Sequence, residues 1–352
     1  MLEVPNSASA DNLVEVRPTG SMGNGLFAVR DISRGTRIVA EIPILAIDKA
    51  SSNEDDLPLF CAALQHLSKA ELRNLDKLYH LDTHDATAVR QQVRQWYRDQ
   101  GTTDKSGNII KGKKLQDFAK STVKRFGIFL ANRVEMGVGG AYGSGIFPLY
   151  SRVNHSCVPN IHNSYNPNIQ RLTTYALRDI AAGEQIFTSY LDSACRTGQQ
   201  RRQMTLDMWG FVCACHACTD ESSEPLRQRM FEIDQRLGAW ETPELRRINS
   251  NLTRFGSGLM PGTALEALKD AEELAQLLKM QGLEGMELCK AYRDCSKYSL
   301  ESGSIQGALE YARKELEIER IIIGTETAHL RDGLHGAEYW LEYLERRGGK
   351  KG

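Results

Sequence analysis

No stretch of the chain approaches the ~18 uninterrupted apolar residues that a membrane-crossing helix needs, so a spanning segment is not expected. Residues 1–10 hold no basic region followed by an apolar core, which argues against a secretory signal. An excess of one charge is also missing. The 44 Lys and Arg against 45 Asp and Glu leave a formal net charge of −1, which argues against binding nucleic acid by bulk charge alone. A motif for sequence-specific DNA reading is absent too. A cytoplasmic and/or nuclear protein is expected, with no membrane and no sequence-specific nucleic acid among its partners. Without an export signal, the eight cysteines read as thiols or metal ligands rather than disulfides.

The 352 residues exceed what one hydrophobic core usually supports, so two or three cooperating units are expected. A weak internal repeat stands out. The stretch from Ala28 to Ile38 resembles the stretch from Ala176 to Ile186, 148 residues on, and each copy reads as strand, turn, strand. Gly35 and Gly183 supply the positive φ of the turn, and Val29, Ile32 and Ile38 suit pleated strands. Two copies are too few for a solenoid and suggest two β-units of one discontinuous domain. Between them, residues 57–67, 69–81, 89–97 and 115–130 carry apolar residues at three- and four-residue spacing, which predicts helices inserted into the β domain. Residues 101–112 read as a loop, and the glycine-rich passage 137–145 as a connector. Beyond about residue 221 the pattern turns helical. Leu330, Leu334, Ala337, Leu341 and Leu344 form one apolar stripe, and Ile305, Ala308, Leu309, Ala312 and Leu316 another, so stacked antiparallel helices are expected.

The densest chemical cluster is Cys213-Ala214-Cys215-His216-Ala217-Cys218. Thiolates packed this closely suit tetrahedral zinc, and a closed four-ligand structural site is the favoured reading. His216, sterically awkward inside the run, and Cys157, from a distant loop, are the candidates for the fourth position. A second cluster runs from Asn154 and His155 through Ser156, Cys157, Val158 and Pro159 to Asn160, offering amide and imidazole groups beside a proline turn. In Met22-Gly23-Asn24-Gly25-Leu26-Phe27, two glycines let backbone approach a ligand. The third glycine and following helix of a dinucleotide fingerprint are missing. A fourth segment, Ser189-Tyr190-Leu191-Asp192, ends the second repeat copy.

Taken in this order, the four segments resemble the SET-domain protein methyltransferases, and the long helical insertion resembles the SET and MYND type and fungal SET proteins similar to it. The implied fold is α+β: a SET-domain β-fold with a helical insertion, a zinc-binding post-SET segment and a C-terminal all-α, tetratricopeptide-like domain. The implied boundaries are 13–48 and 146–210 for the SET segments, 49–145 for the insertion with its glycine-rich connector, 211–220 for the post-SET segment and 221–352 for the helical domain. The resemblance implies S-adenosyl-L-methionine held by Gly23, Asn24, Gly25, Asn132, Ser151, Asn154, His155, Tyr190 and Phe211. It makes Tyr190 the catalytic residue, and makes Cys157, Cys213, Cys215 and Cys218 the ligands of Zn2+. The MYND finger is absent between the two SET segments, and Trp209 stands where the subgroup often has an aromatic hydroxyl.

The implied activity is methylation of a protein lysine, with a monomer expected. A SET-fold enzyme for a small molecule, or a weakly active scaffold binding a peptide through the helical domain, are the competing readings. Methyl transfer from a sulfonium to an amine is an in-line displacement, so the two groups must be aligned and water kept out. Residues 90–125 hold ten Lys or Arg against three Asp. That run reads either as a solvated helical face or as a surface for an acidic protein tail or chromatin.

Overall fold

The computed structural model describes residues 13–48, 56–82, 86–103, 108–241, 260–325 and 336–349. Contacts divide these into two compact units. The first takes in Val39–Arg152 and Ser164–Thr173; the second takes in 13–38, Val153–Asn163 and 174 onward.

In the second unit a four-stranded sheet runs β1 (Val14–Pro18), β2 (Asn24–Ala28), β10 (Gln185–Thr188), β7 (Asn154–His155). β1 and β10 pair antiparallel to β2, and β7 lies parallel to β10 with Asn154 opposite Phe187 and His155 opposite Thr188. Strands distant in sequence thus meet at one sheet edge, and Gly25, Leu26, Ala28 and Ile186 are buried in this sheet. A three-stranded sheet has the order β3 (Arg37–Glu41), β9 (Arg171–Ala176), β8 (Ile161–Asn166).

The two repeat copies pair with each other. Ile32 and Ile180 exchange both backbone hydrogen bonds at 2.8 Å. Around that bridge the contacts are reciprocal. Gly35 N–H reaches the Ala176 carbonyl and Gly183 N–H the Ala28 carbonyl, each at 2.8 Å. Likewise Arg34 N–H donates to Asp179 and Ala182 N–H to Asp31, again at 2.8 Å. Both turn glycines have positive φ, 79° and 82°. Each copy thereby satisfies the other's turn, which removes the cost of leaving those backbone groups unpaired.

The first unit holds the helical insertion: α1 (Asp56–Gln65), α2 (Lys69–Leu75), α3 (Ala86–Asp99) and α4 (Gly112–Asn132). Phe60, Phe126 and Phe129 form its aromatic centre, with ring centroids 5.3 to 6.1 Å apart. Helix α2 starts on a capping box between Ser68 and Glu71 and stops at Leu75, short of the expected 81. Asp76 caps it and takes both guanidinium arms of Arg125 at 2.8 Å. Leu78 is buried from the following turn, which explains why helix-like apolar spacing outlasts the helix. The glycine-rich passage is a hairpin loop between β5 (Arg133–Glu135) and β6 (Ser144–Ile146), and β4 (Leu45–Ile47) pairs on the other side of β6. Gly143, at φ 84°, passes so close to Ile47 that a Cβ would meet its carbonyl oxygen at 1.9 Å, so no other residue fits there.

The remaining helices of the second unit are α5 (Gly198–Trp209), α6 (His216–Thr219), α7 (Glu224–Glu241), α8 (Ala264–Met280), α9 (Met286–Glu301), α10 (Ile305–Ile323) and α11 (Ala337–Gly348). Ala308, Ala312 and Leu344 are fully buried together, with Ile305, Leu309 and Leu341 packed on them, so the two apolar stripes face each other. Leu330 and Leu334 lie outside the described residues. No described helix is long and apolar enough to cross a membrane.

Candidate active site and metal centre

Helix α5 is the platform for the cysteine cluster. A capping box between Thr197 and Gln200 starts it, and Gly210, left-handed at φ 75°, ends it and turns the chain toward Phe211. Thr205 accepts the Cys213 N–H at 3.2 Å, and Arg202 donates to the Cys218 carbonyl at 3.1 Å. One helix face therefore fixes both ends of the Cys-x-Cys-x-x-Cys run.

Cys157 joins that run from the loop after β7. The four sulfurs of Cys157, Cys213, Cys215 and Cys218 lie within 4.8 Å of one another. Cys157 Sγ is 3.9 Å from that of Cys213 and 3.5 Å from that of Cys218. A tetrahedral zinc with Zn–S bonds of ~2.3 Å sets sulfurs roughly 3.8 Å apart, so the donor set and its spacing can hold Zn2+. His216 is exposed at the first position of α6, so the fourth sulfur in reach belongs to Cys157. The other cysteines behave differently: burial alone pushes Cys61 up to about 12, and Cys195, under burial and nearby carboxylates, also reaches about 12. Such thiols stay protonated and inert.

His155 connects this cluster to Tyr190. Its Nδ1 accepts the Tyr190 backbone N–H at 3.0 Å, which leaves the ring proton on Nε2, 3.3 Å from Cys157 Sγ. Burial, only partly offset by the charge of Cys215, pushes His155 down to about 4, so the ring is neutral at physiological pH. Each nitrogen has one role, and the ring is locked between sulfur and backbone.

Tyr190 stands just past β10, half-buried. Its hydroxyl donates to the Val153 carbonyl at 2.7 Å. Its ring lies 5.3 Å from those of His155 and Trp209 and 6.4 Å, edge-on, from Phe211. Trp209 is thus part of the ring cluster itself. The Asn154 amide donates to the Asn24 carbonyl at 3.1 Å, which ties the Gly23-Asn24-Gly25 segment to the second cluster. All four sequence segments, the cysteine run among them, therefore lie within one unit.

The two glycines differ in purpose. Gly23 adopts φ 70° with open space around it, whereas a Cβ on Gly25 would sit 2.5 Å from the Gln185 side chain and 2.7 Å from Thr19. Gly25 makes room for the chain's own residues. Asn132 and Ser151 belong to the other unit. Asn132 spends its amide N–H groups on the Tyr79 and Ile128 carbonyls at 2.7 and 2.8 Å, and the Ser151 hydroxyl is buried without a hydrogen-bond partner among the described residues.

Asn160, the last residue of the second cluster, holds the site's frame. It is 1% exposed. Its amide donates to Glu184 at 3.1 Å and to the Gln185 carbonyl at 2.9 Å, and its oxygen accepts the Phe187 N–H at 2.7 Å. Strand β10, which leads into Tyr190, is thereby stitched to the loop after β7 that carries Cys157. The signal was the asparagine beyond Pro159, whose side chain can replace a missing strand partner.

Residues 23–191 match the family model of the SET domain, and the chain carries a SET domain over that stretch. Among known proteins, 77 residues are 42% identical to the histone-lysine N-methyltransferase set5 of Schizosaccharomyces pombe, covering 22% of this chain and 24% of that protein. A stretch of 85 residues is 44% identical to the human protein-lysine N-trimethyltransferase SMYD5, 24% of this chain and 20% of that one. Another of 91 residues is 35% identical to the N-lysine methyltransferase SMYD2-B of Xenopus laevis, 26% of this chain and 20% of that one. The matched stretches span less than a quarter of these relatives' own length.

Proposed function

We propose that this chain transfers a methyl group from S-adenosylmethionine to the side-chain amine of a protein lysine. The observation that carries the reading is the Tyr190 hydroxyl, held by the Val153 carbonyl inside a half-buried ring cluster beside the Asn24–Asn154 tie. Because that hydroxyl's proton is committed to Val153, its oxygen faces an incoming amine as an acceptor. It can hold an N–H and aim the nitrogen lone pair. Tyr190 is not the base: a phenol near 10 and a lysine near 10.4 are too evenly matched, and the proton leaves to solvent before transfer. The rings of Tyr190, Trp209 and Phe211 favour the positive charge that develops. When bound, S-adenosylmethionine supplies the methyl on a positively charged sulfur. Gly23, Asn24, Gly25, Asn154, His155 and Phe211 are the residues read as holding it. Cys157, Cys213, Cys215 and Cys218 are read as a closed, structural Zn2+ site that keeps Phe211 and His155 in place.

The relatives that match stretches of this chain are named as lysine methyltransferases, which supports a lysine-bearing protein, histone or other, as substrate and a cytoplasmic or nuclear setting. In this reading residues 13–48 and 146–210 are the SET segments, 49–145 the insertion, 211–220 the post-SET segment and 221–352 a helical domain. On α3 of the insertion, Arg90, Arg94 and Arg98 stand one turn apart. The Nε atoms of Arg90 and Arg94 are out of water with no acceptor among the described residues. A solvated face has no reason to bury such donors, so the row is proposed to seat an acidic protein segment with carboxylates at one-turn spacing.

Incubation with methyl-labelled S-adenosylmethionine, separately with a histone mixture, a cell extract and a metabolite extract, tests the reaction. Label is expected on protein, in a form stable to base and retained on lysine. Label on small molecules alone, or none with any mixture, overturns the reading.

A further inference from the structure

Two arginines of the second unit, Arg201 and Arg227, are 0% exposed, although arginine is almost never fully buried without a partner. Arg201 lies on α5, behind the cysteine run. Its nearest carboxylate, Glu224, is 3.9 Å away and 42% exposed, too far and too wet to neutralise it. Its donors go to backbone instead: Nη1 to the Arg196 carbonyl at 2.6 Å, Nη2 to the Ala217 carbonyl at 2.8 Å, between the ligands Cys215 and Cys218. Its Nε is buried with no acceptor among the described residues. Arg227 donates to Gln281 at 2.8 Å and to the Ala194 carbonyl at 3.5 Å, and its Nη2 is likewise unpaired.

Four thiolates around Zn2+ carry a net charge of −2, buried among apolar side chains. Such a charge is costly unless matched nearby. We infer that Arg201 is the counter-charge of a four-thiolate zinc centre and braces its ligand loop through the Ala217 carbonyl. The same pairing has a consequence for the metal-free protein. Four neutral thiols leave this buried cation uncompensated, so the arginine that stabilises the loaded form destabilises the empty one. The inference rests on the metal reading, not on methyl transfer.

The test compares parent, Arg201→Met and Arg201→Lys for zinc per chain, for zinc release to a chelator with a colorimetric indicator, and for Tm before and after stripping. Parent protein is expected to hold one zinc. Arg201→Met should release it at least about tenfold faster and Arg201→Lys by a smaller factor. In loaded protein Arg201→Met should melt below the parent; in stripped protein it should melt no lower. Should Arg201→Met fail to accumulate folded, Arg201→Gln, which also removes the charge but keeps a hydrogen-bond donor, gives the same comparison of loaded and stripped Tm. Unchanged release, or an equal Tm loss in both forms, is the mark of mere hydrogen-bond bracing and overturns the charge role. Protein purified without zinc overturns it together with the metal reading, whereas failure to bind S-adenosylmethionine touches only the proposed activity.

Discussion

Replacing Tyr190 by phenylalanine removes one oxygen and leaves the ring in place. The hydroxyl makes a 2.7 Å hydrogen bond to the carbonyl of Val153, a residue only 2% exposed. Losing such a bond costs about 1 kcal/mol net, rising toward roughly 2 kcal/mol if the carbonyl stays dry and unpaired. For units of this size that lowers Tm by about 2–8 °C. The effect on transfer should be much larger, because a preorganised polar group at the reacting atom is worth about 10²–10³ in rate. Cofactor affinity should change by less than about threefold, since the ring and the His155 contact to the backbone N–H of residue 190 survive. Single-turnover incorporation of labelled methyl, with Kd from calorimetry on the same preparations, separates the two effects. More than a third of the parent rate at intact Kd would refute the role given to the hydroxyl, as would a rate loss fully explained by a weaker Kd.

Cys215→Ser, or chelation of the parent, should remove the metal, loosen α6 and the Phe211 segment, and weaken S-adenosylmethionine binding about tenfold; an unchanged Kd after verified zinc loss would contradict the coupling through His155 and Phe211. Asn160→Ala loses three buried hydrogen bonds and should cost about 3 kcal/mol in urea unfolding, and a loss under about 1 kcal/mol would show that the strand holds without it. Glu41 is 8% exposed, and its carboxyl is pushed by burial from the ordinary 4.5 up to about 7, against N–H bonds from Leu149 and Tyr150. Its folded pKa is therefore raised, so its favourable share is complete below pH 4.5 and is lost as pH climbs through 7. Relative to Glu41→Gln, the parent should lose up to about 3 kcal/mol between pH 5 and 8, read as diverging urea midpoints, and a constant difference would contradict it.

The parts of the fold legible in the sequence were those written in local patterns. The 148-residue repeat, the apolar stripes of α10 and α11 and the spacing of the cysteines each name their element. What the patterns did not reveal is pairing at a distance. The repeat copies show the same turn twice, but nothing in either says that Asp31 and Asp179 cap each other's turns. The glycine passage 137–145 reads as a connector because its hairpin hydrogen bonds are made by backbone, which leaves no side-chain signature. The overlong expectation for α2 arose because Leu78 is buried by a turn at helical spacing. At the site, Tyr190, His155 and the cysteines were visible as types. The framing role of Asn160 and the burial of Arg201 were not, because a polar residue that serves the interior looks the same in sequence as one that serves the surface. Asn132 and Ser151 fall in the other unit, where only Asn132's own bonding gives it a structural task.

Titration of S-adenosylmethionine into zinc-loaded protein, followed by calorimetry, tests most directly whether the segments around Tyr190 form a cofactor site. One saturable site per chain is predicted, weakened by Cys215→Ser and nearly unmoved by Tyr190→Phe. Folded protein that retains its zinc and shows no saturable heat with S-adenosylmethionine or its demethylated product would contradict it.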